Sequence, residues 1–179
     1  MIYLHQHTSK DYGPRTKHNA DQGVTLAFAV DHTTAGERLT QRHAAGRIVK
    51  VSPTSLASSR ANIIDKIVQM MEKTGSTVLN IAGNGIYTWE ANGFDQQYVN
   101  DSVYDMVYRV SFATDLTKIV SGGQSGTDIA GAIAGHRLGI DTHVTWPKGY
   151  KMRFADGVDR YHTREQIFEI LRNKGEPCD

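Results

Sequence analysis

Ile119-Val120-Ser121-Gly122-Gly123-Gln124-Ser125-Gly126-Thr127-Asp128 is the stretch that decides the fold class of this chain. A short apolar strand runs into a loop that holds three glycines and two hydroxyl side chains within 122–127. Ile129-Ala130-Gly131-Ala132-Ile133-Ala134-Gly135 follows at once and reads as a small-residue helix. Strand, glycine loop and helix are how a parallel α/β sheet builds an anion site. Glycine lets backbone approach a ligand, and the free N–H groups of the first helical turn point at it. A tight turn that binds nothing is the plain alternative. The loop lacks the lysine of a P-loop and the spacing of the dinucleotide fingerprint.

Working outward, residues 24–30 read as a buried strand, followed by the loop 31–37 and a helix to about Ala45. Residues 47–51 form a second strand, closed by Pro53. From Ser59 to Lys73 the residues Ile63, Ile64, Ile67, Val68, Met70 and Met71 recur at helical spacing, with Ser58 or Ser59 placed to cap the start. Residues 77–82 are a third strand that ends in Gly83-Asn84-Gly85, and 95–113 read as a helix. The helix after the opening loop ends near Gly139; 141–146 are a fifth strand, stopped by Pro147. A last helix spans 163–173, with Thr163 and Gln166 in capping-box positions. This alternation predicts one α/β domain over 1–179, with a mainly parallel sheet of five or more strands covered on both faces. Right-handed crossovers then bring the loops 33–37, 83–88, 121–128 and 147–153 together at the carboxyl rim of the sheet.

Composition narrows the function. A formal net charge of +1 over 179 residues argues against a dedicated nucleic-acid binder, and 39% hydrophobic residues argue against a disordered chain. The single cysteine, Cys178, excludes a disulfide framework and a cysteine-built zinc site, and it fits a reducing cytoplasm. No stretch is long and apolar enough to span a membrane, and Met1-Ile2-Tyr3-Leu4-His5-Gln6-His7 lacks the basic and apolar regions of a secretory signal. The eight histidines are scattered; His5 and His7 alternate as on a strand and read as surface or interface side chains, with a metal site as the lesser alternative and no ligand assigned.

The loop at Gly122, Gly123, Gln124, Ser125, Gly126 and Thr127 is the first candidate for phosphate contact. Thr33, Thr34, Gly36 and Glu37 stand at a second helix start; they suit an anion or a polar ring substituent, or plain N-capping with Glu37 complementing the helix dipole. Gly83, Asn84 and Gly85 let backbone approach a sugar or base, or simply turn the chain. Tyr87 and Trp89 are candidates for stacking on a ring, or for the core. Lys148 and Gly149, with Lys151 and Arg153 behind them, offer cations at a strand end, or a solvated basic loop. Arg15 suits bidentate contact with phosphate. Asp128, in the first helical turn, suits a base or a ribose hydroxyl, or only the dipole. No Ser–His–Asp order or paired-carboxylate motif stands out, so Asp128 and Glu37 are the catalytic candidates only if the protein is an enzyme.

Ser121-Gly122-Gly123-Gln124-Ser125-Gly126-Thr127-Asp128, then Ala130, Leu138-Gly139-Ile140 and Trp146-Pro147-Lys148-Gly149, resemble the molybdenum-cofactor carrier proteins of the SLOG superfamily, which are Rossmann-like nucleotide-binding domains. Tyr12-Gly13-Pro14-Arg15-Thr16, Asn19, residues 23–28, Thr33-Thr34-Ala35-Gly36-Glu37-Arg38-Leu39-Thr40 and Val78-Leu79-Asn80-Ile81-Ala82-Gly83 resemble segments that follow the Gly-Gly-Gln loop in those carriers but precede it here. The chain therefore looks like a circular permutant of a Rossmann-like three-layer sandwich, with the helix 95–113 part of the new junction.

The resemblance implies a small phosphorylated, nucleotide-like or molybdopterin-like ligand at the rim. A carrier, sensor or sequestering protein, of the kind a phage could encode, suits a chain with anion loops and no evident acid–base pair. A hydrolase of an N-glycosidic or phosphate bond and a molybdenum-cofactor carrier are the alternatives. The hydrolase motif of the superfamily, Pro-Gly-Gly-x-Gly-Thr-x-x-Glu, is not matched in its spacing, since Gln124-Ser125 lengthens it. Relatives of this kind form dimers or larger assemblies, and Tyr98, Tyr104 and Tyr108 on the helix 95–113 are spare aromatics for such a contact.

Overall fold

The computed structural model describes residues 1–176, so Cys178 lies outside the described residues. The elements run in the order β1 (Ile2–Gln6), α1 (Tyr12–Ala20), β2 (Val24–Phe28), α2 (Ala35–Ala44), β3 (Ile48–Val51), α3 (Pro53–Thr74) and β4 (Val78–Gly83). They continue as α4 (Ile86–Glu90), α5 (Gln96–Ala113), β5 (Lys118–Ser121), α6 (Thr127–Arg137), β6 (Asp141–Trp146), the hairpin β7 (Met152–Arg153) and β8 (Asp159–Arg160), and α7 (Arg164–Arg172). The main sheet has six strands in the order β1-β6-β5-β4-β2-β3, all parallel. Helices cover both faces, which makes the molecule a Rossmann-like three-layer α/β sandwich.

The two faces of the sheet differ in chemistry. Leu26, Phe28, Leu79, Ile81 and Ile119 alternate onto one face and pack against Ile63, Ile67 and Met71 of α3 and Val99, Val103, Met106 and Val107 of α5. Each fully buried large apolar side chain of this kind contributes about 1.5–3 kcal/mol. The intervening residues Thr25 and Asn80 lie on the opposite face, where the Asn80 amide donates to Thr25 Oγ1 at 3.1 Å. That side, under α1 and α2, has a polar interior. A second apolar cluster joins Leu4, Val144 and Trp146 to Ile129 and Ile133 of α6 and Ile167 and Ile170 of α7.

The topology also fixes where a cleft opens. From β2 the chain moves outward to β3; from β4 it moves the other way, to β5 and β6. The order therefore reverses between β2 and β4. In open parallel sheets the crevice beyond the carboxyl ends of the strands at such a reversal is where ligands bind.

Several elements differ from the sequence reading. β1 forms a sixth strand, paired to β6 at the sheet edge. Residues 12–20, to which the sequence pattern assigns no element, form helix α1, and Pro14 is tolerated in its first turn, whose N–H groups have no intrahelical partner. Pro53 does not merely stop a strand; it is the first residue of α3. Ser52 caps that helix in a reciprocal box with Ser55, and Ser59, expected as a cap, is a non-helical joint inside it (φ −143°, ψ 33°). The box at Thr163 and Gln166 is present as expected, on α7.

Candidate functional site

A cavity of about 410 Å³ opens at the strand-order reversal, within the range of pockets for small organic ligands. Its wall combines α1, the N-terminus of α2, the end of β4 and part of the loop after β5. Helix α1 has almost no apolar residues, and its inward stripe is Arg15, Asn19 and Ala20. A helix with such a face is stable only over a polar interior, and the Asn80 side of the sheet supplies one.

Arg15 crosses the cavity floor to Asp128, with Nη1 2.7 Å from Oδ2. Arg15 is 7% exposed and Asp128 5%. Burial pushes the Asp128 carboxyl above its ordinary value, while the Arg15 guanidinium and the backbone of Gln124 and Gly83 act against that shift. Gly122 makes the crossing possible: a Cβ there would stand 1.1 Å from Arg15 Nη1 and 2.2 Å from Asp128 Oδ2. The space that the sequence reading reserved for ligand at Gly122 is filled by the protein's own guanidinium.

Most of the remaining glycine loop is likewise turned to the protein. Gly126 N–H donates to Gln96 Oε1 at 2.7 Å, and Thr127 N–H donates to Asn84 O at 3.1 Å. Thr127 Oγ1 donates to Phe28 O at 2.8 Å and accepts from Trp89 Nε1 at 3.2 Å. Ser125 Oγ donates to Arg153 O and accepts from Ile86 N–H. Gly126 has φ +82°, and a Cβ there would lie 2.4 Å from Asn84 O, so the loop needs glycine to seat against the end of β4. Gly123 packs on the Trp146 ring. Of this loop, Gly122, Gln124 and Asp128 line the cavity; Gly123, Ser125, Gly126 and Thr127 stand behind its wall.

The second expected anion position is better placed. Thr34 caps α2, its Oγ1 accepting from Glu37 N–H at 3.3 Å, and Thr34, Ala35 and Gly36 line the cavity. A Cβ at Gly36 would meet nothing within 4 Å, so the backbone at this helix start is open to the cavity. Thr33 turns away instead, its N–H and Oγ1 both donating to Asp31 Oδ1. Glu37 is not an exposed dipole partner: it is 2% exposed and points inward. Burial raises its carboxyl, the charges of Asp128 and Asp31 add to that, and His32, with Nδ1 3.7 Å from Oε2, opposes it.

Gly83, Asn84 and Gly85 line the cavity at the end of β4, with Asn84 locked to the backbone of Asp31 on both its amide atoms. Tyr87 is in the wall, with the Arg153 guanidinium 5.7 Å from its ring centre. Trp89 is not available for stacking: it is fully buried, 4.8 Å from the Phe28 ring. Lys148 and Gly149 do not line the cavity; Lys148 is exposed, its N–H bonded to Ser9 O, and Gly149 N–H donates to Gln6 Oε1. Arg153 is the basic side chain of that segment that does reach the wall. It is held by Asp159, which also accepts from Lys151 and from the Tyr12 hydroxyl at 2.8 Å. Burial works to raise Asp159, but the hydrogen bonds of Arg153, Lys151 and Tyr12 outweigh it and bring the carboxyl down to about 2. Burial and the bond to Asp159 push the Tyr12 phenol up to about 12.

Asn19 and Asn80 are the wall residues whose site role the sequence reading missed. Both polar atoms of Asn19, Oδ1 of Asn80, Nε of Arg15 and Oε2 of Glu37 are buried and hydrogen-bond no other protein atom, and all four residues line the cavity. Leaving a buried polar group unmatched costs about 1–3 kcal/mol, so such clusters mark places built for a polar ligand or water. The signal was present in Val78-Leu79-Asn80-Ile81-Ala82, where an amide interrupts a buried apolar strand.

Among the described residues no helix is long and apolar enough to cross a membrane. No protein-family model matches the chain, and no curated protein or solved structure matches it.

Proposed function

We infer that this protein binds a phosphorylated, nucleotide-like small molecule in the cavity between α1, α2 and the end of β4. The observation that carries the reading is the set of buried donors and acceptors on Arg15, Asn19, Glu37 and Asn80 that make no hydrogen bond within the protein, in one cavity wall. Acceptors and donors mixed at one floor suit a sugar, whose hydroxyls both give and take hydrogen bonds. For the phosphate, the open N-terminus of α2 at Ala35 and Gly36 and the Arg153 guanidinium are the groups of this wall that suit an anion, with the Glu37 carboxyl beside them raised toward its neutral form. Tyr87 stands in the wall for a base. The likeness of the loop at Gly122 to the SLOG superfamily supports the same ligand class, although here that loop serves mainly to seat Arg15 and the end of β4.

One observation favours hydrolysis as a second reading. Glu37 and Asp128, far apart in sequence, share the cavity floor, and burial raises both carboxyls. A raised carboxyl beside an Arg-paired one is the arrangement in which one acid holds a proton and the other a charge. Nucleoside monophosphates, cyclic nucleotides, ADP-ribose and a pterin phosphate, screened by thermal shift, test the binding reading. Stabilisation by a nucleotide that is lost in Asn19→Ala supports it; a flat response to the whole panel overturns it. Release of free base from a monophosphate, abolished in Glu37→Gln, establishes the hydrolase, and intact ligand after long incubation leaves a carrier or sensor.

A further inference from the structure

Away from the cavity, four histidines gather on one groove. His5 on β1, His143 on β6, His18 on α1 and His7 beyond β1 line a space of about 340 Å³ together with Gln22 and Thr145. The parallel register sets Tyr3 beside His143 and His5 beside Thr145, and the three rings lie along one face of the edge strand pair. His143 sits 4.6 Å from the Tyr3 ring and 5.2 Å from the His5 ring, which it nearly parallels at 16°. His5 Nε2 and His143 Nδ1 are 3.1 Å apart.

We propose that His5 and His143 chelate a divalent transition-metal cation of the imidazole-preferring class, such as Zn²⁺, at the open edge of the sheet. Two nitrogens on one zinc at about 2.0–2.1 Å stand about 3.3 Å apart in tetrahedral geometry and about 2.9 Å apart at a right angle. The observed spacing lies between the two. In the metal-free pair one ring donates its N–H to the other. When the cation takes that place the shared N–H moves to the other nitrogen of its ring, so that each ring offers a lone pair to the cation. The Tyr3 ring steadies the plane of His143, and both histidines are at least partly open to solvent, so a small ring rotation brings the two lone pairs to one point. Lys118, on the same face of β5, is engaged by Gln22 Oε1 at 3.2 Å. Among the described residues no group of three His, Cys, Asp or Glu side chains encloses a metal ion. The site is therefore a two-histidine chelate, with its other positions open to water or a further ligand. Nitrogen donors select Zn²⁺, Ni²⁺ and Cu²⁺ over Mg²⁺ and Ca²⁺. This assigns a role to side chains that the sequence reading left on the surface, and it does not depend on what the cavity binds.

Titration calorimetry of the full chain with ZnCl₂, then with MgCl₂, tests the assignment. The expected result is saturable Zn²⁺ binding, no Mg²⁺ heat, and affinity reduced by about tenfold or more in His5→Ala and in His143→Ala. His43→Ala, on α2, serves as the control and keeps the parent affinity. His5→Gln and His143→Gln, which keep polarity, replace any alanine variant that melts early by circular dichroism. No Zn²⁺ binding by the parent chain, unchanged affinity in either histidine variant, or an equal loss in His43→Ala overturns the proposal.

Discussion

The Arg15 guanidinium lies 2.7 Å from the Asp128 carboxylate directly over Gly122, where a single added methyl carbon would stand 1.1 Å from it. The pair ties the first helix of the chain to the sixth, and it is buried at both ends. Breaking a buried pair by removing one partner leaves the other charge without compensation, at about 3–5 kcal/mol. Arg15→Ala is expected to lower stability by that order. Gly122→Ala is expected to do much the same without touching either charge, because it displaces the guanidinium. Urea denaturation followed by circular dichroism checks both; a Gly122→Ala midpoint equal to the parent's would show that the pair is not held as described.

Glu37 carries the opposite kind of effect. Its carboxyl is raised by burial, with Asp128 and Asp31 adding to the shift. A group raised in the folded state binds its proton more tightly there than in the unfolded chain. Its contribution is therefore favourable at low pH and is lost as pH rises from the ordinary glutamate value of 4.5 through the higher folded value. Glu37→Gln removes this loss. The variant is expected to melt at a higher temperature than the parent near neutral pH, with the gap closing below about pH 4.5, and to bind nucleotide more weakly. Melting curves over a pH series check the first part. A variant less stable than the parent at pH 7 would mean that the carboxylate is compensated by the protein itself.

The strands were legible because β2, β4 and β5 are short, largely apolar and buried runs, and β6 closes on the buried Val144-Thr145-Trp146 before Pro147; the rim followed from their alternation with helices. Twelve of the candidate residues singled out in sequence do line the cavity, among them Arg15, Glu37, Gly83 and Asp128. The rest was hidden for physical reasons. β1 has only Ile2 and Leu4 facing the core, since its other face carries histidine and tyrosine. α1 has no apolar stripe, so hydrophobic periodicity cannot find it; its inward residues make sense only against a polar cavity built by three other segments. The pairing of Glu37 with Asp128 depends on the strand-order reversal, which local pattern does not contain. The glycine loop misled in a definite way: glycine is required there for close approach, but what approaches is Arg15 and the backbone of Asn84 and Gly85.

The β7–β8 hairpin is fastened to α1 by one carboxylate. Asp159 takes Lys151, Arg153 and the Tyr12 hydroxyl, and these bonds bring it down to about 2 in the folded chain. A depressed carboxyl stabilises the fold above the unfolded value of 3.8 and loses that contribution as pH falls through about 2. Acid is therefore expected to release the hairpin, and with it Arg153 from the cavity wall, between about pH 4 and pH 2. Tyr12→Phe removes one of the three bonds and moves this release to higher pH. Amide exchange of residues 151–160 against pH measures it; release at the same pH in parent and variant would remove Tyr12 from the clasp.

Thr127 decides what the glycine loop is for. As a phosphate ligand, its hydroxyl would be free to face the cavity, and Thr127→Val would abolish nucleotide binding while leaving the fold intact. In the structure Thr127 is fully buried, its Oγ1 donating to Phe28 O at 2.8 Å and accepting from Trp89 Nε1 at 3.2 Å. Valine keeps the shape but not the donor, so Phe28 O loses this bond inside the core, at about 1–3 kcal/mol. The expected outcome is a lower urea midpoint for Thr127→Val, with nucleotide affinity of the folded protein unchanged and stability largely restored in Thr127→Ser. Arg153→Ala is expected to show the reverse, losing affinity with a small change in midpoint. Binding isotherms taken in buffer well below each variant's unfolding midpoint separate the two patterns. Lost affinity in a stable Thr127→Val protein would return the loop to the anion-binding role that its sequence suggests.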